Sequence, residues 1–306
     1  VNLAGADPAA VDLATTGVVL VTHETRDEVL GALASLAGHP GQVVVVDAGS
    51  QDGTADAVRS NHPGVRVLEL GNVGYGRGVN AGAAVLDAEV EVVVAANADV
   101  RFAPDAIALL VATLEADPEL AAAAPRVRYP DGGHQASARR APSLATALAH
   151  GAVGWLVPAN PATRRYHALD LTGPHATEPC DVDWVSGCAF AIRRSDLEAV
   201  GGFDPGYRLF VEDVDLCDRL RRAGRRIRFV PASVVEHRVG ASTRHRPLRS
   251  RLAHARGLDR YLSRQQRGPA RHLRPLVWPG LVAWVIATSV ADAIRGDRTS
   301  TTGERR

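Results

Sequence analysis

Short, almost uninterrupted apolar runs separated by segments of helical period organise the first third of the chain. Val18–Val21, Val43–Val46, Val65–Leu70 and Val92–Ala96 predict strands. Three of the four are nearly continuously apolar, the pattern of parallel strands covered by helices on both faces. Helical segments are predicted between them at Asp27–Ala37, Thr54–Ser60 and Asn80–Ala88. Such alternation implies an α/β fold of βαβ units, whose ligands sit at the carboxyl ends of the strands. The residues just after each run are therefore the ones to inspect.

The second half is less regular. A loop-rich stretch, Tyr129–Pro179, precedes a strand signal around Asp181–Ile192 and a helix near Ser195–Val200. The turn GGFDP leads into a helix of about Val211–Ala223, then two short strands, Ile227–Val230 and Val234–His237. Between Arg244 and Arg274 lie ten arginines and a single acid, Asp259. The apolar run Pro275–Ala291 follows, with Trp278 and Trp284, broken by Pro279 and Gly280. It falls short of the ~20 apolar residues a spanning helix needs. A basic stretch beside a Trp-bearing apolar one suits a segment lying in a membrane interface; the alternative is a C-terminal helix packed on the domain. The expected organisation is an extension at 1–14, a catalytic domain at 15–242 and a membrane-associating segment at 243–306.

Composition narrows the chemistry. A net charge of +1 argues against a dedicated nucleic-acid binder. All basic side chains are arginine, with no lysine, which excludes a Walker A loop, a Schiff base and lysine-dependent nucleotidyl transfer. Cys180, Cys188 and Cys217 show no C-x-x-C spacing, so a reducing compartment is expected, not a disulfide framework or a zinc site. The N-terminal residues lack a signal-peptide pattern, and a cytoplasmic location is expected.

The strand ends carry the polar residues. Thr22, His23 and Glu24 follow the first run, and VVVVDAGSQDGT places Asp47 at the end of the second. The ordinary reading of that turn is a helix start capped by Asp52 or Thr54. Burying the Asp47 charge is costly without a polar partner, which favours a ligand-facing role. NVGYGRGVNAG holds a G-x-G-x-x-A match at Gly76, Gly78 and Ala81, but after the third strand instead of the first, so a dinucleotide fingerprint is weak. A flexible loop bringing backbone amides and Arg77 to phosphates is the simpler expectation. Asn97 and Asp99 end the fourth strand two residues apart, facing one way. They are able to share a hard cation with a diphosphate, or to form an Asx turn.

In VEDVDLCDRL, Asp215–Arg219 and Asp218–Arg222 read as surface ion pairs four apart. Glu212 and Asp213 have no such partner, and Asp213 shares the apolar side with Leu216, Cys217 and Leu220. A carboxylate at a helix start is kept ionised by the dipole, as a general base requires; the bland reading is a first-turn acid that only favours the helix. His237 ends a strand beside the Asp99 edge, and neutral imidazole binds divalent metals.

Together the ordered blocks VVLVTHET, VVVVDAGSQDGT, NVGYGRGVNAG, ANADV, DWVSGCAFAIRR, GGFDPGYRLFVEDVDLCDRL and VVEHRVGAS resemble the family 2 glycosyltransferases of GT-A fold. The likeness is nearest to the rhamnosyltransferase-like branch that extends lipid-linked cell-envelope glycans, and covers about Gly17–Ser242. The resemblance implies a mostly parallel central sheet flanked by helices, with a basic and apolar helical extension after it. It also implies an inverting transfer from a nucleoside diphosphate sugar, assisted by Mg²⁺ or Mn²⁺, at the inner face of the cell membrane. Thr22, Glu24 and Asp47 would line the nucleoside site, Ser50 and Asp52 would complete it, and Arg77 and Asn80 would lie near the nucleotide. Asp99 matches the last acid of the D-x-D metal motif, with Asn97 in place of its first acid, and His237 matches the histidine that completes the metal site. Asp213 matches the catalytic base and Glu212 its neighbour that helps to order the acceptor. Trp184, Val185, Ser186 and Gly187 would floor the sugar and acceptor site. Glu24 and Ala48 stand where Asn is common in the family, leaving the nucleoside open. The rivals are a dinucleotide-dependent oxidoreductase, a pyrophosphorylase, which would need a lysine, and a binding domain without turnover, against which intact Glu212, Asp213, Asp99 and His237 argue.

Overall fold

The structure is a computed structural model describing residues 11–39, 41–141, 168–238 and 247–265, with five further positions between 278 and 286. Most of the apolar run at 275–291 lies outside the described residues. Among them no helix is long and apolar enough to cross a membrane.

The first unit runs β1 (Thr16–Thr22), α1 (Arg26–Ser35), β2 (Gln42–Asp47), α2 (Thr54–Asn61), β3 (Arg66–Glu69), α3 (Tyr75–Ala84) and β4 (Val92–Asn97). The four strands are the four apolar runs of the sequence, and they pair in parallel in the order β3-β2-β1-β4. Alternate residues of β1 feed two cores. Val19 joins the layer with Val44, Val46 and Val79, while Val18 and Leu20 face Val29, Leu33 and Val45. The register aligns Thr22 with Asp47 and Val21 with Asn97, so three candidate residues reach one carboxyl edge.

The other half is mixed. It comprises β5 (Val100–Phe102), α4 (Ala106–Glu115), β6 (Leu120–Arg128), β7 (His134–Gln135), β8 (Ala138–Arg139) and the short α5 (Leu169–Thr172). It continues with β9 (Cys180–Asp181), β10 (Trp184–Val185), β11 (Ala189–Arg193), α6 (Arg194–Ala199), α7 (Glu212–Arg222), β12 (Arg226–His237) and α8 (Pro247–Gln265). β11 is antiparallel to β4 and β6, β12 is parallel to β6, and β5 closes that side antiparallel to β12. The two short strands expected at 227–237 are one strand with an irregularity between Val230 and Val234, where Pro231 lacks the N–H a ladder needs. The single strand expected over 181–192 is three pieces, broken at Val182–Asp183 and again at Ser186–Cys188.

Two differences matter for function. The NVGYGRGVNAG segment is not a flexible loop: α3 starts at Tyr75, five residues before the expected helix. Its glycines are packing positions. Gly78 lies against Val21, Gly76 against Phe203, and Gly82 sits on Val19 and Val46 with no space for a Cβ. The chain thereby brings a helix close to β1, which side chains would prevent. We expect Gly82→Val to cost about 1–3 kcal/mol by overpacking; a denaturation midpoint equal to wild type would contradict this packing role. The second difference is Asp215. It is buried, bonded to Tyr207 Oη at 3.1 Å and Arg219 at 2.8 Å, and is not a surface pair. Asp218–Arg222, at 2.9 Å, is the pair expected.

Candidate active site

The loops after β1 and β2 are laced together. Ser50 Oγ accepts from Glu24 N–H at 2.9 Å, and Glu24 returns the contact by accepting from Gln51 N–H at 2.9 Å. Glu24 has φ 54°, uncommon for a residue with a side chain. Asp47, 3% exposed, accepts from Ser50 N–H at 2.9 Å, while Thr22 Oγ1 meets Thr25 Oγ1 at 2.7 Å. Both line the edge as expected. Asp52 spends its oxygens on Arg26 N–H and on Thr54. Burial pushes its carboxyl up, but those bonds outweigh it and hold it below the ordinary range. Asp52 therefore shapes the turn as a capping residue does.

Arg77 and Asn80, expected beside the nucleotide, face elsewhere. Arg77 donates to the Pro205 carbonyl at 3.0 and 2.6 Å. The Asn80 amide binds both backbone groups of Phe203, at 2.8 Å each. Being helical, α3 turns these side chains toward the GGFDP turn, where they fasten it.

On the far side of the edge, His237 Nε2 lies 3.1 Å from Asp99 Oδ1 and 3.5 Å from the Asn97 amide nitrogen. The imidazole is oriented from behind, its Nδ1 being 3.0 Å from Gln135 Oε1. With Nδ1–H donating there, Nε2 and the Asp99 carboxylate converge in a nearly buried setting, and an imidazole held from behind by an acceptor is a favourable ligand for a divalent cation. Among the described residues no third His, Cys, Asp or Glu joins the pair. Mg²⁺ binds through few protein oxygens and keeps positions for phosphate oxygens. The donor set fits the expected metal.

Asp213 lies in the first turn of α7, partly exposed, and is held by backbone N–H groups: Gly187 at 3.0 Å and Val214 at 2.8 Å. Burial raises its pKa above the ordinary carboxylate value, against these bonds and the attraction of Arg139. Glu212 is 6% exposed, and its Oε2 has no hydrogen-bond partner. Burial, and next the Asp213 charge, push it up to about 8. The two neighbouring carboxyls titrate as a pair, each raised first by burial.

Because the folded-state value of Glu212 is raised, the folded protein holds a proton the unfolded chain releases from about pH 4.5 upward. Stability attributable to this group is full below that point and declines as pH rises toward 8. We expect Glu212→Gln to flatten the wild-type fall in unfolding midpoint between pH 5 and 8. Parallel curves for the two proteins would refute that.

The two centres meet at one short turn. Gly187 N–H holds Asp213, and the carbonyl of the next residue, Cys188, accepts from Asn97 N–H at 2.9 Å. The Cys188 thiol, pushed up to about 12 first by burial, also feels the Asp99 and Asp213 charges. The Asp99 and Asp213 carboxylates therefore lie on either side of one residue. Trp184 is buried beneath them, its indole donating to the Arg140 carbonyl at 2.9 Å, with Arg139 5.0 Å over its ring. Ser186 N–H is fixed by the Ser137 carbonyl at 2.7 Å, which holds the Trp184–Gly187 stretch in place.

The pattern of glycosyl transferase family 2 matches residues 17–201, and that of the N-terminal domain of galactosyltransferase matches 169–245. The chain belongs to glycosyltransferase family 2. It is 36% identical over 276 residues to the Mycobacterium tuberculosis N-acetylglucosaminyl-diphospho-decaprenol L-rhamnosyltransferase, covering 85% of this chain and 87% of that relative. The Escherichia coli rhamnosyltransferase WbbL is 39% identical over 85 residues, 28% of this chain and 32% of that one. Among solved structures, GalNAc-T7 with UDP, GalNAc and Mn²⁺ superposes with a TM-score of 0.55 at 20% identity, over 74% of this chain and 43% of that one. Staphylococcus aureus TarS 1-349 gives 0.50 at 13% identity, over 89% and 72%. These likenesses establish the GT-A type of fold and a glycosyltransferase.

Gln135, Tyr75 and Arg139 also belong to this glycosyltransferase site without any sequence pattern that marks them. Gln135 and Arg139 lie in the loop-rich stretch, where no period announces direction. Tyr75 has a buried hydroxyl without a partner, and its ring packs against Gly187. Its ionisation is raised far out of range by burial and by the Cys188, Asp213 and Glu212 charges.

Proposed function

We propose that this glycosyltransferase moves a rhamnosyl group from dTDP-rhamnose to a hydroxyl of a polyprenyl diphosphate-linked GlcNAc, with inversion at the anomeric carbon. The observation that carries the reading is Asp213: a partly exposed carboxylate at a helix start, aimed by a backbone N–H, beside the peptide that reaches Asn97. Asp213 takes the proton of the acceptor hydroxyl as that oxygen forms its bond to the anomeric carbon. The bond from that carbon to the diphosphate breaks on the opposite face, and the nucleoside diphosphate leaves. Asp99 and His237 would hold the divalent cation, which supplies Lewis acidity toward the departing diphosphate. Thr22 and Asp47 are set to meet the nucleoside, and Trp184–Gly187 would floor the sugar and acceptor site.

The sugar and acceptor are taken from the mycobacterial relative, whose name gives L-rhamnose and GlcNAc-diphospho-decaprenol. A lipid-linked acceptor fits a peripheral position at the cytoplasmic membrane face. The test is a panel of nucleotide sugars with Mn²⁺, read by thermal shift. A ligand bound at 100 times its Kd stabilises by about 2.7 kcal/mol, and dTDP-rhamnose is expected to give the largest shift. A larger shift from a uridine-linked sugar would overturn the proposed donor.

A further inference from the structure

α8 begins at Pro247, beyond both stretches that match family patterns, yet it packs on the segment that delivers the base. Phe210 and Val211, the two residues before Glu212, have φ 68° and 69°. Two consecutive left-handed residues with side chains, one β-branched, are strained and persist only where the surroundings hold them. The surroundings here are α8. A Cβ on Gly257 would lie 2.9 Å from the Phe210 carbonyl oxygen and 3.1 Å from Val211 Cγ2, so the helix backbone lies directly on the turn. The His254 ring is 5.5 Å from that of Phe210.

Charge fixes the same contact on its other side. Arg260 binds Asp204 at 3.0 Å, Arg264 also binds Asp204, and Arg264 reaches Asp215 in the first turn of α7 at 3.5 Å. Arg260 stands 5.4 Å over the Tyr207 ring, whose hydroxyl donates to Asp215. Ala255 and Tyr261 are buried, at 1% and 3% exposure. One helix therefore grips both ends of the 204–215 segment.

We propose that α8 is part of the catalytic apparatus, and that Gly257 is a positioning residue which holds the strained Phe210–Val211 turn where Asp213 meets its acceptor. This rests on the reading of Asp213 as base. The absence of a side chain at position 257 lets the helix close on the turn, and the Arg260–Asp204 and Arg264–Asp204 pairs keep it closed. None of the residues assigned above to the nucleoside lies on that turn, so α8 is expected to govern turnover and not donor affinity.

The experiment compares full-length wild type, Gly257→Ala, Asp204→Asn and Asp213→Asn. Initial rates are measured with dTDP-rhamnose and a polyprenyl diphosphate-linked GlcNAc, and dTDP affinity with Mn²⁺ by calorimetry. The added methyl must displace the turn by a few tenths of an ångström, and displacement of this kind lowers kcat by about tenfold or more. The expected result is that loss in Gly257→Ala, a smaller one in Asp204→Asn, and dTDP affinity within twofold of wild type in both. If Gly257→Ala does not fold, Asp204→Asn, a near-isosteric change, reads the same split. Unchanged kcat in both variants, or parallel loss of kcat, dTDP affinity and unfolding midpoint, overturns the proposal. Normal turnover by Asp213→Asn would instead overturn the base on which it rests; a dead Asp213→Asn beside an unimpaired Gly257→Ala defeats the positioning role alone.

Discussion

Asp213→Asn is expected to lower sugar transfer by about 10²–10⁴-fold, the span typical of losing a general base, while dTDP binding stays near wild type. The amide keeps the side-chain shape and one oxygen to accept from Gly187 N–H, the contact at 3.0 Å that aims the group. What it lacks is the capacity to take a proton. The wild-type rate should also decline on the acid side at a pH above the usual carboxylate range, since burial raises the Asp213 value and the protonated acid is no base. Transfer by Asp213→Asn within tenfold of wild type would remove the base assignment.

Asp99→Ala should abolish the stimulation by Mn²⁺ and weaken donor binding together, because the site offers a single carboxylate and a single imidazole in contact at 3.1 Å. Gln135→Leu provides a graded comparison. It leaves both ligands in place but removes the acceptor behind Nδ1; such supporting contacts are worth about 10–100-fold in metal affinity. The Mn²⁺ titration midpoint should therefore rise in Gln135→Leu and vanish in Asp99→Ala. Identical titrations in all three proteins would place the cation elsewhere.

The parallel half of the fold was legible because its strands are buried on both faces, and a continuous run such as Val43–Val46 has few alternatives. β6 was not. Its Leu120–Ala124 run is alanine-rich, and alanine favours helix as an isolated residue; its place between β11 and β12 comes from long-range pairing. The start of α3 was hidden for a related reason. Gly76, Gly78 and Gly82 lower helix propensity, and only the closeness of Val19, Val21 and Phe203 explains them. In the site, residues that end strands were readable, since a strand fixes direction: Thr22, Asp47, Asn97 and Asp99 lie on the expected edge. Side chains on α3 were not, because a shift of the helix start by five residues turns Arg77 and Asn80 onto the GGFDP turn. Asp215 was misread as superficial because the sequence pairs it with Arg219 but gives no sign of Tyr207 or α8 above it.

The turn at Gly187 and Cys188 ties two parts of the site together. Gly187 N–H holds the Asp213 carboxylate and the Cys188 carbonyl holds the end of β4, so a substitution that shifts this turn is expected to move both at once, whereas the loop after β2 is held by neither bond.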